Sequence, residues 1–121
     1  MRDLKKRTQR FAIDCWYLCA ELPKSREYNA YVNQLIRSSS SVGANWRASQ
    51  RGKPDKDFIN KLKIVEEECD ESMHWLEIFI EILDGHQKEL KRLHKEGNEL
   101  LSITVASINT ARKRINSSSE N

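Results

Sequence analysis

The chain has 121 residues, of which 32% are charged and 38% hydrophobic, with only 4 Gly and 2 Pro; that is one domain by size, in a composition that favours helices and few turns. No run of about 18 apolar residues occurs, which excludes a helix that spans a membrane. Arg10, Asp14 and Glu21 interrupt any apolar core behind the basic start, so a secretory signal is not expected and the simplest location is the cytoplasm.

The first predicted helix runs from Asp3 to Leu22, with Leu4, Phe11, Cys15, Leu18, Cys19 and Leu22 on one face. Lys5, Lys6, Arg7 and Arg10 crowd its start, where the helix dipole prefers anions; a local cost of this kind points to a binding role for these cations. Pro23 ends the segment, because it lacks an N–H and disfavours helix at the residue before it.

The second runs from Ser25 to Arg51. Ser25 is the expected N-cap and Glu27 brings negative charge to the first turn. Tyr28, Val32, Leu35, Ser39, Val42, Trp46 and Ser49 recur in steps of four and three. The small residues Ser38 to Ser41, Gly43 and Ala44 read either as a flexible linker or as a close helix crossing; the unbroken period favours the crossing. Asn45 lies near the inner face and needs a hydrogen bond if buried. Gly52 and Pro54 mark the stop.

The third segment holds the longest regular pattern, Phe58, Leu62, Val65, Cys69, Ser72, Leu76, Phe79 and Leu83, with no Gly or Pro between Asp55 and Asp84. Glu66, Glu67, Asp70, Glu71, Glu77 and Glu81 fall mostly off this stripe. Its last turns add Trp75, Ile78, Ile80 and Ile82, so that end is apolar nearly all round. A small monomer covers one side of a helix, and the surplus predicts a contact with another subunit through Trp75, Ile78 and Ile82. Asp84-Gly85 is the expected turn, with Gly as the breaker.

The fourth segment runs from His86 to Ile115 on a stripe of Leu90, Leu93, Gly97, Leu101, Thr104, Ile108, Ala111 and Ile115. Residues 116–121 read as a frayed, disordered tail after a single domain of residues 1–115. Four segments with short connections give an all-α, antiparallel up-down-up-down four-helix bundle.

Catalytic and metal chemistry find little support. A di-iron bundle wants two Glu-x-x-His pairs plus two further carboxylates pointing inward. Only Glu71 and His74 make such a pair, on the outer face. No zincin, P-loop or nucleophile-elbow pattern occurs. Cys15, Cys19 and Cys69 are odd in number and lack a CxxC, which fits small core residues in a reducing compartment. No catalytic residue, metal or cofactor is expected.

Binding remains. The net charge of +3 hides twelve Lys+Arg against five Asp+Glu through Lys56, and nine against thirteen beyond it. Such a chain either offers a basic surface to an anionic partner or lays a basic helix beside an acidic one. Lys5, Lys6, Arg7 and Arg10 are expected to join Arg112, Lys113 and Arg114 at the end of the bundle that holds the chain termini. Arg47, Arg51, Lys53 and Lys56 cluster at the second turn, expected at the opposite end. Either region suits phosphates.

The segment Gln34-Leu35-Ile36-Arg37-Ser38-Ser39-Ser40-Ser41-Val42-Gly43-Ala44-Asn45 resembles the second helix of the bacterial 23S rRNA intervening-sequence proteins. Asp57-Phe58-Ile59-Asn60-Lys61-Leu62-Lys63-Ile64, with Glu67, Glu71, Trp75, Leu76 and Glu77 after it, resembles the same family in the right order and spacing. The resemblance covers about residues 5 to 115. Ala48 departs from it, standing where the family has Glu three positions after the Asn. The resemblance implies a four-helix protein without an agreed enzymatic activity, forming barrel-shaped homopentamers with a basic surface. A related branch serves as the accessory protein of diversity-generating retroelements, where it partners a reverse transcriptase and RNA. The joint expectation is a non-enzymatic, ring- or barrel-shaped homo-oligomer that binds RNA or DNA through Arg37, Arg47, Arg51 and Lys53 together with Lys5, Lys6, Arg7 and Arg10. The alternative is a scaffold that docks an enzyme such as a reverse transcriptase.

Overall fold

A computed structural model describes residues 3–52 and 56–120, with side chains as far as 117. The described chain is helical throughout its length: α1 (Leu4–Glu21), α2 (Arg26–Arg51), α3 (Lys56–Ile82) and α4 (Gln87–Glu120). The starts have local causes. The Asp3 carboxylate accepts from the Lys6 N–H and the Ser25 hydroxyl oxygen from the Tyr28 N–H, each at 3.1 Å. Each satisfies an amide that the first helical turn leaves without a partner.

The stops differ from expectation. Gly52 caps α2 at φ −76, an ordinary backbone value. A side chain there would meet the Asp57 carboxylate, the movable end of a flexible side chain, which would have to shift. Between α3 and α4 the left-handed residue is His86 (φ 63), not Gly85. His86 opens α4, its carbonyl accepting from the Leu90 N–H at 2.9 Å. Helical backbone continues to Glu120, past the expected end of the fourth helix at Ile115, and no Gly or Pro follows Gly97 to interrupt it. Asn121 lies outside the described residues.

The stripes close over one core. Phe11, Cys15, Leu18 and Cys19 of α1 meet Leu35 and Val42 of α2, five apolar residues of α3 from Leu62 to Phe79, and Leu90, Leu93, Leu100 and Ile108 of α4. Burying one large aliphatic or aromatic side chain of this kind contributes about 1.5–3 kcal/mol. On α4 the stripe steps from Gly97 to Leu100 rather than to Leu101, which stays half-buried beside Glu66 and Asp70.

α2 packs on α1 and α3, and α4 packs on α1 and α3. The serine run is helical throughout and makes the close crossings expected of it. A side chain built at Gly43 would stand 3.1 Å from the Thr8 hydroxyl oxygen. The buried Ser38 and Ser72 hydroxyls lie 2.9 Å apart, hydrogen-bonded. Asn45 donates through Nδ2 to the Ser41 carbonyl at 2.9 Å, which satisfies its half-buried amide.

Candidate nucleic-acid interface

The structure sorts the candidate cations by what neutralises them. Arg7 donates to both carboxylate oxygens of Glu96, at 2.7 and 2.8 Å, and also pairs with Glu99. A fork on a carboxylate is the strong form of an ion pair. The hydrogen bonds to Glu96 hold the Arg7 guanidinium firmly protonated. Arg10 donates to Asp14 at 2.8 and 2.7 Å, and Arg92 reaches the other oxygen of Asp14 at 2.9 Å. Burial alone would raise the Asp14 carboxyl, but the two guanidiniums hold it below its usual range. Arg37 spans from α2 to α3, reaching Glu68 at 2.9 Å and pairing with Glu71. Arg7, Arg10 and Arg37 therefore serve the fold.

Lys5, Lys6, Arg47 and Arg51 are exposed and make no ion pair among the described residues. Lys53 lies outside the described residues. Lys5 of α1 and Arg47 of α2 line one groove of about 370 Å³. The two basic clusters thus sit at one end of the molecule, not at opposite ends. Lys5, near the start of α1, and Arg47, near the end of α2, line that groove together.

Arg112, Lys113 and Arg114 do not continue the α1 cluster in the expected way. Arg7 meets α4 at Glu96 and Glu99, so α4 runs on past the start of α1. Arg114 instead lines a groove with Phe58 of α3 and Ile103. The acidic face of α3 divides too. Glu68 and Glu71 take Arg37, while Glu66, Glu67 and Asp70 line a separate groove with Lys63 and Leu101. His74 sits edge-on to Trp75, at 4.8 Å between centroids, away from any ligand set. Among the described residues no three His, Cys, Asp or Glu side chains are placed to hold a metal ion.

Of the proposed subunit-contact residues, Trp75 is half-buried and stacks on Tyr31 within the chain at 5.4 Å. Ile78 is half-buried and Ile82 is 50% exposed. A second exposed apolar set was not anticipated: Ile13, Trp16 and Tyr17 of α1, the two rings 56% and 58% exposed. The pattern for it was present, since three large side chains fall on the face opposite the Phe11–Cys15–Leu18 stripe, but a search for one buried stripe passes over it.

The fold has relatives. A crystal structure at 1.70 Å of a protein of unknown function from the S23 ribosomal protein family, from Bacteroides thetaiotaomicron VPI-5482, superposes with a TM-score of 0.79. The two share 27% identity over 87% of this chain and 97% of that one. No curated protein sequence matches the chain. The family described as 23S rRNA-intervening sequence protein matches residues 2–106, and that span holds all of α1, α2 and α3, every cation and acid just described except those after Ala106, and most of the core. With sequence and fold in agreement over that length, the chain belongs to the 23S rRNA-intervening sequence protein family.

Proposed function

We propose that this chain is a non-enzymatic, cytoplasmic, homo-oligomeric protein that binds RNA or DNA through phosphate contacts at one basic end of an up-down-up-down helical bundle. The observation that carries the reading is the division among its cations. Arg7, Arg10 and Arg37 are consumed by carboxylates, whereas Lys5, Lys6, Arg47 and Arg51 are exposed and make no ion pair among the described residues, with Lys5 and Arg47 on one groove. Unpaired cations clustered at a surface attract a polyanion and release its counterions on contact. The bundle topology is supported by residue pairs that run in opposite order along neighbouring helices: Arg7 with Glu96 and Asp14 with Arg92, or Tyr28 with Phe79 and Arg37 with Glu71. A closed ring of copies would repeat the basic end around an axis and strengthen its field.

The test is a fluorescence-anisotropy titration of the purified chain against structured RNA and duplex DNA at about 50 and 200 mM salt. Affinity should fall steeply with salt, with a slope of about −0.7 per neutralised phosphate on single strands. Arg47→Glu with Arg51→Glu should abolish binding without unfolding, whereas Arg10→Ala should not. No binding by the parent chain at low salt removes the reading. A second reading, a scaffold docking an enzyme such as a reverse transcriptase, draws on the exposed Ile82 at the end of α3. A salt-insensitive protein complex would favour it.

A further inference from the structure

We infer that the groove between α1 and α2 is a base-stacking site for single-stranded nucleic acid, with Trp16 as its platform and Lys5 and Arg47 as its phosphate contacts. This rests on the phosphate-binding reading above and goes beyond it by naming the class of strand. Ala12 of α1 and Ser40, Gly43 and Ala44 of α2 give the groove small side chains, and Ile13 and Trp46 line it as well, so a base would meet apolar and aromatic surface there. Among the described residues no carboxylate lines it, and the charged residues that do are Lys5 and Arg47, one on each wall and neither in an ion pair. The groove beside Glu66, Glu67 and Asp70 carries the opposite charge and repels phosphate.

The second observation is independent of charge. Trp16 and Tyr17 expose more than half of their surface and meet edge to face, with centroids 5.2 Å apart and planes at 87°. Trp16 lies four residues beyond Ala12 and seven beyond Gln9, so it prolongs the α1 wall of the groove. From Lys5 to Trp16 the helix rises roughly 16 Å, room for about five phosphates of a stacked strand at ~3.4 Å each. A cationic track beside exposed aromatic faces is the combination that holds single strands, because every base has a face to stack. In a duplex those faces are already covered by neighbouring bases, so it offers these side chains phosphates but no base to stack.

The experiment uses the full chain and two labelled probes, an oligouridine of about a dozen nucleotides and a duplex of equal length, at about 50 mM salt. Trp16→Ala should weaken oligouridine binding roughly 5- to 150-fold, leaving duplex affinity and the salt slope unchanged. Trp16→Phe, which keeps a ring face, should stay near the parent value. Because Trp16 is 56% exposed, the variant should keep its helicity, checked by circular dichroism. If the parent chain binds and Trp16→Ala does not weaken oligouridine, or weakens duplex equally, the stacking site is wrong while phosphate binding stands. If neither probe binds the parent chain, both fall. If Trp16→Ala changes the oligomer in light scattering, this face is a contact between copies and the assignment is overturned.

Discussion

Arg37 on α2 reaches Glu68 on α3 at 2.9 Å and, through its other amino group, holds Glu71. One guanidinium thus fastens two helices whose cores already meet at Ser38 and Ser72. The Glu68 side chain is 14% exposed and that of Arg37 49%, so solvent weakens the pair on one side only. Arg37→Ala should lower stability by about 0.5–1 kcal/mol and leave nucleic-acid affinity where it was. A urea titration beside the anisotropy assay separates the two effects. A loss of binding as large as that of the Arg47 and Arg51 reversals would return Arg37 to the binding surface.

Acid should loosen the fold through three carboxyls. Asp14 and Glu71 are each raised by burial but pulled below their ordinary values by arginines, and Glu89 is lowered chiefly by its hydrogen bond to Arg92. Each binds its proton more weakly folded than unfolded. Their stabilisation is therefore complete above the ordinary Glu value of 4.5 and is lost as pH falls through the lower folded values. The urea midpoint should hold steady from about pH 7 to 5 and drop between about 5 and 3. A midpoint that rises on acidification contradicts this.

Two glycines should answer the same substitution differently. Alanine gains about 0.8–1 kcal/mol over glycine in a helix interior. At Gly97 the new methyl would meet Met73 Cγ at 3.2 Å, the flexible middle of an adaptable side chain. At Gly43 it would meet Thr8 Oγ1 at 3.1 Å and Cβ at 3.3 Å, and Thr8 is buried with its hydroxyl held by the Leu4 carbonyl at 2.6 Å. Gly97→Ala should be neutral or stabilising, whereas Gly43→Ala should destabilise by about 1 kcal/mol as overpacking outweighs propensity. Thermal midpoints in the reverse order would show that the α1–α2 crossing is looser than its distances.

The helices were legible because their signals are local. The four-and-three spacing from Phe58 to Leu83 needs no partner to be read, and Ser25 caps the α2 start as its type predicts. What the spacing could not carry was pairing between elements. Eight cations looked alike in sequence, yet Glu96, Glu68 and Asp14 neutralise Arg7, Arg37 and Arg10, while Lys5 and Arg47 have no ion pair among the described residues. Glu96 is 89 residues from Arg7, a distance at which no spacing rule applies. Trp16 was passed over for a related reason: an exposed aromatic breaks no periodicity.

The end of α3 supplies the last prediction. Its apolar surplus called for a second subunit, and the structure covers part of that surplus within the chain, with Trp75 on Tyr31 and Ile80 against the core. Ile82, 50% exposed, and the half-buried Ile78 one turn earlier are left over, and in the proposed homo-oligomer they would meet another copy. A buried ammonium at such a contact is costly unless paired. Ile78→Lys with Ile82→Lys should therefore reduce the oligomer to monomers in light scattering while helicity by circular dichroism is largely retained. An unchanged assembly would exclude the α3 end from the contact and shift the search to Ile13, Trp16 and Tyr17, the exposed apolar side chains that lie together on α1.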